Sequence, residues 1–313
     1  MRIAVIGLGR MGSPIARRLS RQHDVRGWDV AEPAAPLAPV RLAEGPISAV
    51  DGVDALVTVL PGPRELGQAL GDGTAFSCLA AGALWVDLTS ADSDTGARLH
   101  ALAAASGVAS VAAPMTGGPS DAERGSLGFL VGGAPVARDA ASPLLAELGD
   151  PGRVQVVGDD PAAAYLTKLL GNLLWFGQVV AVTEVLALAQ GSGLAAEATA
   201  RILADGPGAS TFLQRDAEHL LRGDPMATFG IDRVVEELHA VEAVAERLSS
   251  PFELSGLVTR IHEAALERYG PRPGELLASL LLQERAGIRL SPPDRPHDAA
   301  SIPAPRQPAD HGA

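Results

Sequence analysis

RIAVIGLGRMGSPIARRL, residues 2–19, joins an apolar strand to a helix through three spaced glycines. Ile3 to Gly7 reads as a short buried strand and Met11 to Arg21 as a helix, so Gly7-Leu8-Gly9-Arg10-Met11-Gly12 falls in the strand-to-helix turn that a G-x-G-x-x-G dinucleotide site requires. Gly7 permits the tight turn, Gly9 lets a pyrophosphate approach the backbone, and Gly12 allows close packing of the helix. The helix N-terminus offers free N–H groups and partial positive charge to the diphosphate. Asp29 ends the next strand, Asp24 to Val30, where a carboxylate accepts hydrogen bonds from ribose hydroxyls and repels a 2′-phosphate. Val30-Ala31-Glu32-Pro33 follows it without Arg or Lys, which predicts NAD over NADP.

Outward from this turn the alternation continues. Ala55–Pro61, Ala83–Thr89, Val108–Pro114, Leu127–Gly133 and Val154–Gly158 read as strands, with a helix over Ser93–Ala105. Near-continuous apolar strands predict a parallel sheet covered on both faces. After Asp160 no strand pattern recurs, and 161–191, 195–204, 209–222, 232–248, 252–269 and 274–286 carry helical periodicity. The predicted fold is therefore α/β: a Rossmann-type, doubly wound, mostly parallel sheet over 1–160, an all-helical domain over 161–289, and a disordered Pro- and Asp-rich tail over 290–313.

The net charge of −12 argues against nucleic acid and anionic membrane surfaces as partners. No secretory leader is read at the N-terminus. The greasy run from Tyr165 to Ala189 carries Lys168, Asn172, Gln178 and Glu184, which predicts a buried helix of a soluble protein. The single cysteine, Cys78, is read as a small buried thiol in a reducing, cytoplasmic protein. His297 and His311 belong to the tail, and no metal-ligand spacing is found.

Lys168 and Asn172 stand four apart on one helix face. Two readings fit them: a desolvated lysine serving as general acid or base, or a packed stem with its ammonium in water. Thr116-Gly117-Gly118 follows a strand end and supplies a hydroxyl and unobstructed N–H groups, either a nest for a carboxylate or an ordinary glycine turn.

Taken together, GLGRMGSPIARRL, VTVLPGP, VDLTS, APMTGGP and KLLGN resemble, in collinear order, the motifs of the β-hydroxyacid dehydrogenases, the family of 3-hydroxyisobutyrate dehydrogenase. The resemblance covers about residues 1–285. It implies cofactor contacts at Leu60, Pro61 and Thr89, substrate binding by Thr116, Gly117 and Gly118, a catalytic role for Lys168 and a substrate-orienting role for Asn172. It also implies a small hydroxy acid substrate and a homodimer through the helical domain. Four residues at three places depart from the family pattern: Gly171 in place of the first Asn, Asp121 in place of Gly, and Glu236-Glu237 where a Lys-Asp pair is usual. Two alternatives stay open, an imine or other carbonyl reductase on the same fold and a catalytically silent dinucleotide-binding sensor. Imine reductases usually lack the lysine, and phosphogluconate dehydrogenases usually have a longer helical part.

Overall fold

The computed structural model describes residues 1–291. Its contacts divide the chain into two compact units, Met1–Asn172 and a second beginning at Leu173. In order, the first unit contains β1 (Arg2–Ile6), α1 (Gly12–Leu19), β2 (Asp24–Trp28), β3 (Arg41–Leu42), α2 (Pro46–Val50), β4 (Ala55–Thr58) and α3 (Pro63–Ala69). These are followed by β5 (Leu84–Asp87), α4 (Ser93–Ala105), β6 (Ala109–Ala112), β7 (Met115–Thr116), α5 (Pro119–Arg124), β8 (Leu127–Gly132), α6 (Pro135–Leu148), β9 (Gly149–Gly158) and the start of α7 (Pro161–Gly191).

Six strands in the order β3-β2-β1-β4-β5-β6 run parallel. β8 turns antiparallel against β6 and β7, and β9 pairs parallel with β8. The mostly parallel sheet is thus as the apolar runs dictate: Ile3, Ala4, Val5 and Ile6 are all fully buried, because helices cover both faces. Residues on one face join Ile15, Leu19 and Leu144, and those on the other join Leu66, Leu99 and Tyr165. One register row, Trp28–Ile6–Thr58–Asp87–Ala112, lies along the C-terminal ends of the parallel strands. The loops that leave this row are where an open α/β sheet binds its ligand.

α7 begins at Pro161, with the Ala162 N–H donating to Asp160 Oδ1 at 2.9 Å. The first compact unit nevertheless extends past the boundary expected at 160, because Ala164 and Tyr165 are buried in the core of the sheet unit. The second unit holds the rest of α7, then α8 (Ala196–Ala204), α9 (Ala217–Arg222), α10 (Ile231–Leu248), α11 (Glu253–Tyr269) and α12 (Leu277–Ala286). A π turn, Phe212–Asp216, precedes α9 where one continuous helix was expected. Two apolar clusters fill this unit, one around Phe176, Ile231, Val234 and Leu238 and one around Val179, Leu186, Phe212 and Leu220.

By length and composition α7 is apolar enough to cross a bilayer, and 33% of its most apolar stretch is buried. The expectation of a buried helix holds for one side of α7, where Tyr165, Leu169, Phe176, Val179 and Leu186 are buried, while its other side is open in the single chain. Leu170, Leu174, Val185 and Leu188 are 44%, 69%, 43% and 72% exposed. A helix apolar all round has more greasy surface than one side of packing can cover. The tail also starts later than expected. Leu290 and Ser291 are buried, and the Leu290 N–H donates to Gln283 Oε1 at 2.9 Å. The remainder of the expected tail, with His297 and His311, lies outside the described residues.

Candidate active site

The glycine turn is enforced by contacts. Gly7 has φ +93°, its N–H donates to the Trp28 carbonyl at 2.8 Å, and a Cβ there would stand 2.1 Å from the Val59 carbonyl oxygen. A Cβ on Gly12 would stand 1.8 Å from the Gly7 carbonyl oxygen. Gly9 differs: a Cβ would meet nothing within 4 Å, so the space above it is open. That is the cradle a diphosphate needs against bare backbone, and the residues present fit a dinucleotide. Leu8 is buried and its N–H donates to Asp29 Oδ2 at 2.6 Å, while the Ala31 N–H donates to Asp29 Oδ1 at 3.1 Å. The acid is thereby tied to the glycine loop at the end of β2. Arg10 is exposed and Met11 half-buried.

Beyond β4 and β5, the Leu60 N–H donates to Thr89 Oγ1 at 3.2 Å, which joins two of the loops expected near a nicotinamide. Pro61 is exposed and Thr89 buried. The Thr89 N–H donates in turn to Asp87 Oδ1 at 3.0 Å. Asp87 is completely buried and also accepts from Thr58 Oγ1 at 2.6 Å and from the Tyr165 hydroxyl at 2.5 Å. Burial pushes its carboxyl above the usual range, and these donors oppose that rise. His100, also buried, contacts Tyr165 Oη through Nε2 at 3.0 Å and Ser110 Oγ through Nδ1 at 2.8 Å, and burial holds it down at about 3. Sequence reading quoted Asp87 within VDLTS without giving it a role, and gave none to Tyr165 or His100. The available signal was a carboxylate closing a strand of otherwise apolar residues.

Thr116 lies in β7 with Oγ1 close to Gly128, where a Cβ would come within 2.4 Å of it. Gly117 has φ +117° and is exposed. The Gly118 N–H donates to Asp121 Oδ2 at 2.9 Å, so this donor is engaged inside the loop rather than open to a carboxylate as expected. Asp121 Oδ1 accepts from Ser126 Oγ and Arg124 Nη2, both at 3.0 Å. The Gly118 bond, foremost, holds Asp121 below the ordinary carboxylate range.

Lys168 and Asn172 are both half-buried, and Lys168 Nζ donates to Asn172 Oδ1 at 3.1 Å. Lys168 is the only lysine in the sequence; every other basic side chain of the Lys-Arg class is arginine. Guanidinium stays charged at any ordinary pH, whereas an amine can give and take a proton. That composition is a second signal sequence reading did not use. Gly171 is exposed with open space around it, so packing does not demand glycine there. Glu236 pairs with Arg233 at 2.8 Å within α10. Cys78 is half-buried rather than fully buried. Among the described residues, no three His, Cys, Asp or Glu side chains converge as a metal site would require.

Residues 2–158 match the family described as the NAD binding domain of 6-phosphogluconate dehydrogenase. Residues 162–277 match the family described as NAD-binding of NADP-dependent 3-hydroxyisobutyrate dehydrogenase. The chain belongs to the β-hydroxyacid dehydrogenase family. Within it, the chain is 30% identical over 217 residues to the NAD-dependent L-serine dehydrogenase of Pseudomonas aeruginosa, covering 68% of this chain and 72% of that one. The crystal structure of a 3-hydroxyisobutyrate dehydrogenase from Salmonella typhimurium superposes with TM-score 0.79 at 22% identity, over 90% of this chain and 99% of that one. An imine reductase variant from Myxococcus stipitatus shares the fold more loosely, with TM-score 0.59 at 19% identity, over 90% of this chain and 99% of that one. The first unit of this β-hydroxyacid dehydrogenase is its NAD(P)-binding domain.

Proposed function

We propose that the chain is a dehydrogenase of small 3-hydroxy acids of the 3-hydroxyisobutyrate type, with Lys168 as its proton-transferring group and NAD as its preferred cofactor. The Lys168–Asn172 pair, 3.1 Å apart on α7, carries this reading. Gly7 to Gly12, Asp29, Leu60, Pro61 and Thr89 would hold the dinucleotide. Preference for NAD follows from Asp29, whose charge disfavours a 2′-phosphate and which no adjacent cation offsets. When bound, the dinucleotide would supply the hydride acceptor for oxidation of the carbinol and the hydride donor for the reverse reduction. Lys168 Nζ, as the neutral amine, accepts the substrate hydroxyl proton as the carbonyl forms, and donates it back in the reverse direction. Asn172 Oδ1 accepts from the amine and holds it in place, and Asn172 orients the substrate beside it. Thr116 and the Gly117 backbone orient the carboxylate, with Gly118 contributing less because its N–H is bonded to Asp121.

The lysine favours this reading over an imine reductase or a silent sensor. The exposed stripe on α7 supports a homodimer. Leu170, Leu174, Val185 and Leu188 fall within about 60° of one another at 100° per residue, a continuous apolar face suited to a second copy. A cytoplasmic setting accords with the one half-buried thiol.

The deciding experiment mixes the full chain with NAD and a panel of short 3-hydroxy acids and follows absorbance at 340 nm. Turnover is expected, and Lys168→Ala is expected to lower kcat by about 10²–10⁴-fold with NADH binding intact. Cofactor binding with no turnover across the panel would favour the sensor.

A further inference from the structure

We propose that Tyr165 and Asp87, backed by His100, are a positioning device for Lys168: a buried hydrogen-bonded strut that pins the first turns of α7 to the end of β5. The proposal rests on Lys168 being the proton-transferring group and names what holds it.

The strut has a defined direction. Asp87 can only accept when ionised, so the Tyr165 hydroxyl donates to Oδ2 at 2.5 Å. The Tyr165 oxygen then accepts from His100 Nε2–H at 3.0 Å, and His100 Nδ1 accepts from Ser110 Oγ at 2.8 Å. From the other side, Trp85 Nε1 donates to Thr58 Oγ1 at 2.9 Å, Thr58 donates to Asp87 Oδ1 at 2.6 Å, and the Thr89 N–H donates to the same oxygen at 3.0 Å. Every proton points toward one carboxylate, and β4, β5, β6, α4 and α7 are tied through it. Burial keeps His100 neutral at ordinary pH, as this arrangement requires.

Packing fixes the strut laterally. His100 stacks on Trp85 with ring centroids 4.3 Å apart, and Tyr165 lies so close over α4 that a Cβ on Gly96 would stand 2.2 Å from its ring. No cation touches Asp87 among these partners. A buried carboxylate without a counter-charge is expensive, and an apolar side chain would fill the same volume more cheaply if cohesion were the only demand. What the polar version adds is a fixed reference point. Through Thr89 and Leu60 the carboxylate fixes two loops at the cofactor end of the sheet. Through Tyr165 it fixes the helix on which Lys168 stands three residues on, one turn away on the same side. Amine and cofactor loops are thereby set from one atom group, and small displacements of such groups cost rate heavily.

Tyr165→Phe keeps the ring and removes the link. In the full chain with NAD, kcat is expected to fall about 10–100-fold while NADH affinity and the KM for the hydroxy acid change far less. A second readout needs no turnover. Reductive ¹³C-methylation labels the single lysine and the chain's N-terminus, and the Lys168 resonance is expected to move in Tyr165→Phe while the N-terminal one stays. If either kcat or the Lys168 resonance matches wild type, or if kcat and NADH affinity fall equally, the proposal is overturned. Absence of wild-type turnover would refute the dehydrogenase reading instead and leave the resonance to judge the strut alone. If Tyr165→Phe does not fold, His100→Leu, which has no donor for the Tyr165 oxygen, removes the next link, and an unmoved Lys168 resonance there overturns the proposal as well.

Discussion

The two units of this chain differ most in how they treat their apolar surface, while each pairs most of its buried polar groups, with a few atoms across the two left unpartnered. In the sheet unit, Asp87 has three donors and both ring nitrogens of His100 are engaged. In the helical unit, buried His262 donates Nδ1–H to the Val258 carbonyl at 2.9 Å, while its Nε2, like His23 Nδ1 and Glu147 Oε2 of the sheet unit, is buried with no hydrogen-bond partner. The sheet unit covers its central strands β1, β4 and β5 with its own helices, while Leu42 of β3 and Val156 of β9 at its edges stay exposed. The helical unit leaves Leu174, Leu188, Ile202 and Leu254 69–75% exposed. The helical unit carries more exposed leucine and isoleucine than its own packing covers, which is the ground for the homodimer proposed above.

The largest expected effect would break this contrast at the surface. Leu174→Glu combined with Leu188→Glu should weaken self-association by about 10³-fold or more, at roughly 1.5–3 kcal/mol per buried leucine, while leaving helical content intact. Light scattering after size exclusion checks it. A wild-type chain already monomeric at micromolar concentration would remove the reason for the exposed stripe.

Next comes a test that separates two glycines of one motif. Gly12→Ala should cost about 1–3 kcal/mol of stability, because its Cβ meets the Gly7 carbonyl. Gly9→Ala should leave thermal stability near wild type yet lose NADH affinity, because its Cβ enters open space that only a ligand would fill. Equal melting temperatures for the two variants would contradict the contacts described here.

The smallest effect concerns pH. His262 is held at about 4 by burial, against 6.5 when unfolded. Above pH 6.5 both states are neutral and the group contributes no pH dependence. As pH falls from 6.5 toward 4 the unfolded state takes up the proton first, so stability is lost through that window. His262→Phe should therefore reduce the loss between pH 7 and pH 5 by about 1–2 kcal/mol in urea melts. His100, held at about 3, adds a loss of the same sign in the sheet unit. Parallel pH profiles for wild type and His262→Phe would show that His262 titrates alike in both states.

Much of this was legible before any tertiary contact was known. The strand-turn-helix at Gly7–Gly12, the acid at Asp29, the helix beginning at Pro161 and the Lys168–Asn172 spacing each follow from features local to the chain: backbone freedom, strand ends, helical periodicity. The small elements β3 and β7 were missed, since two residues carry no period to read. The capping of Gly118 by Asp121 was missed too, because it depends on where one short side chain turns. The strut was beyond reach for another reason. Asp87 and Tyr165 are 78 positions apart, and His100 and Tyr165 are 65 apart. Asp87 stands out locally as a carboxylate closing an apolar strand, but nothing near it in the chain points to Tyr165 or His100. They meet only because parallel strands align their ends in one row and a helix crosses over that row, so sequence set the repeating elements while burial in the assembled sheet decided which polar groups had to find one another.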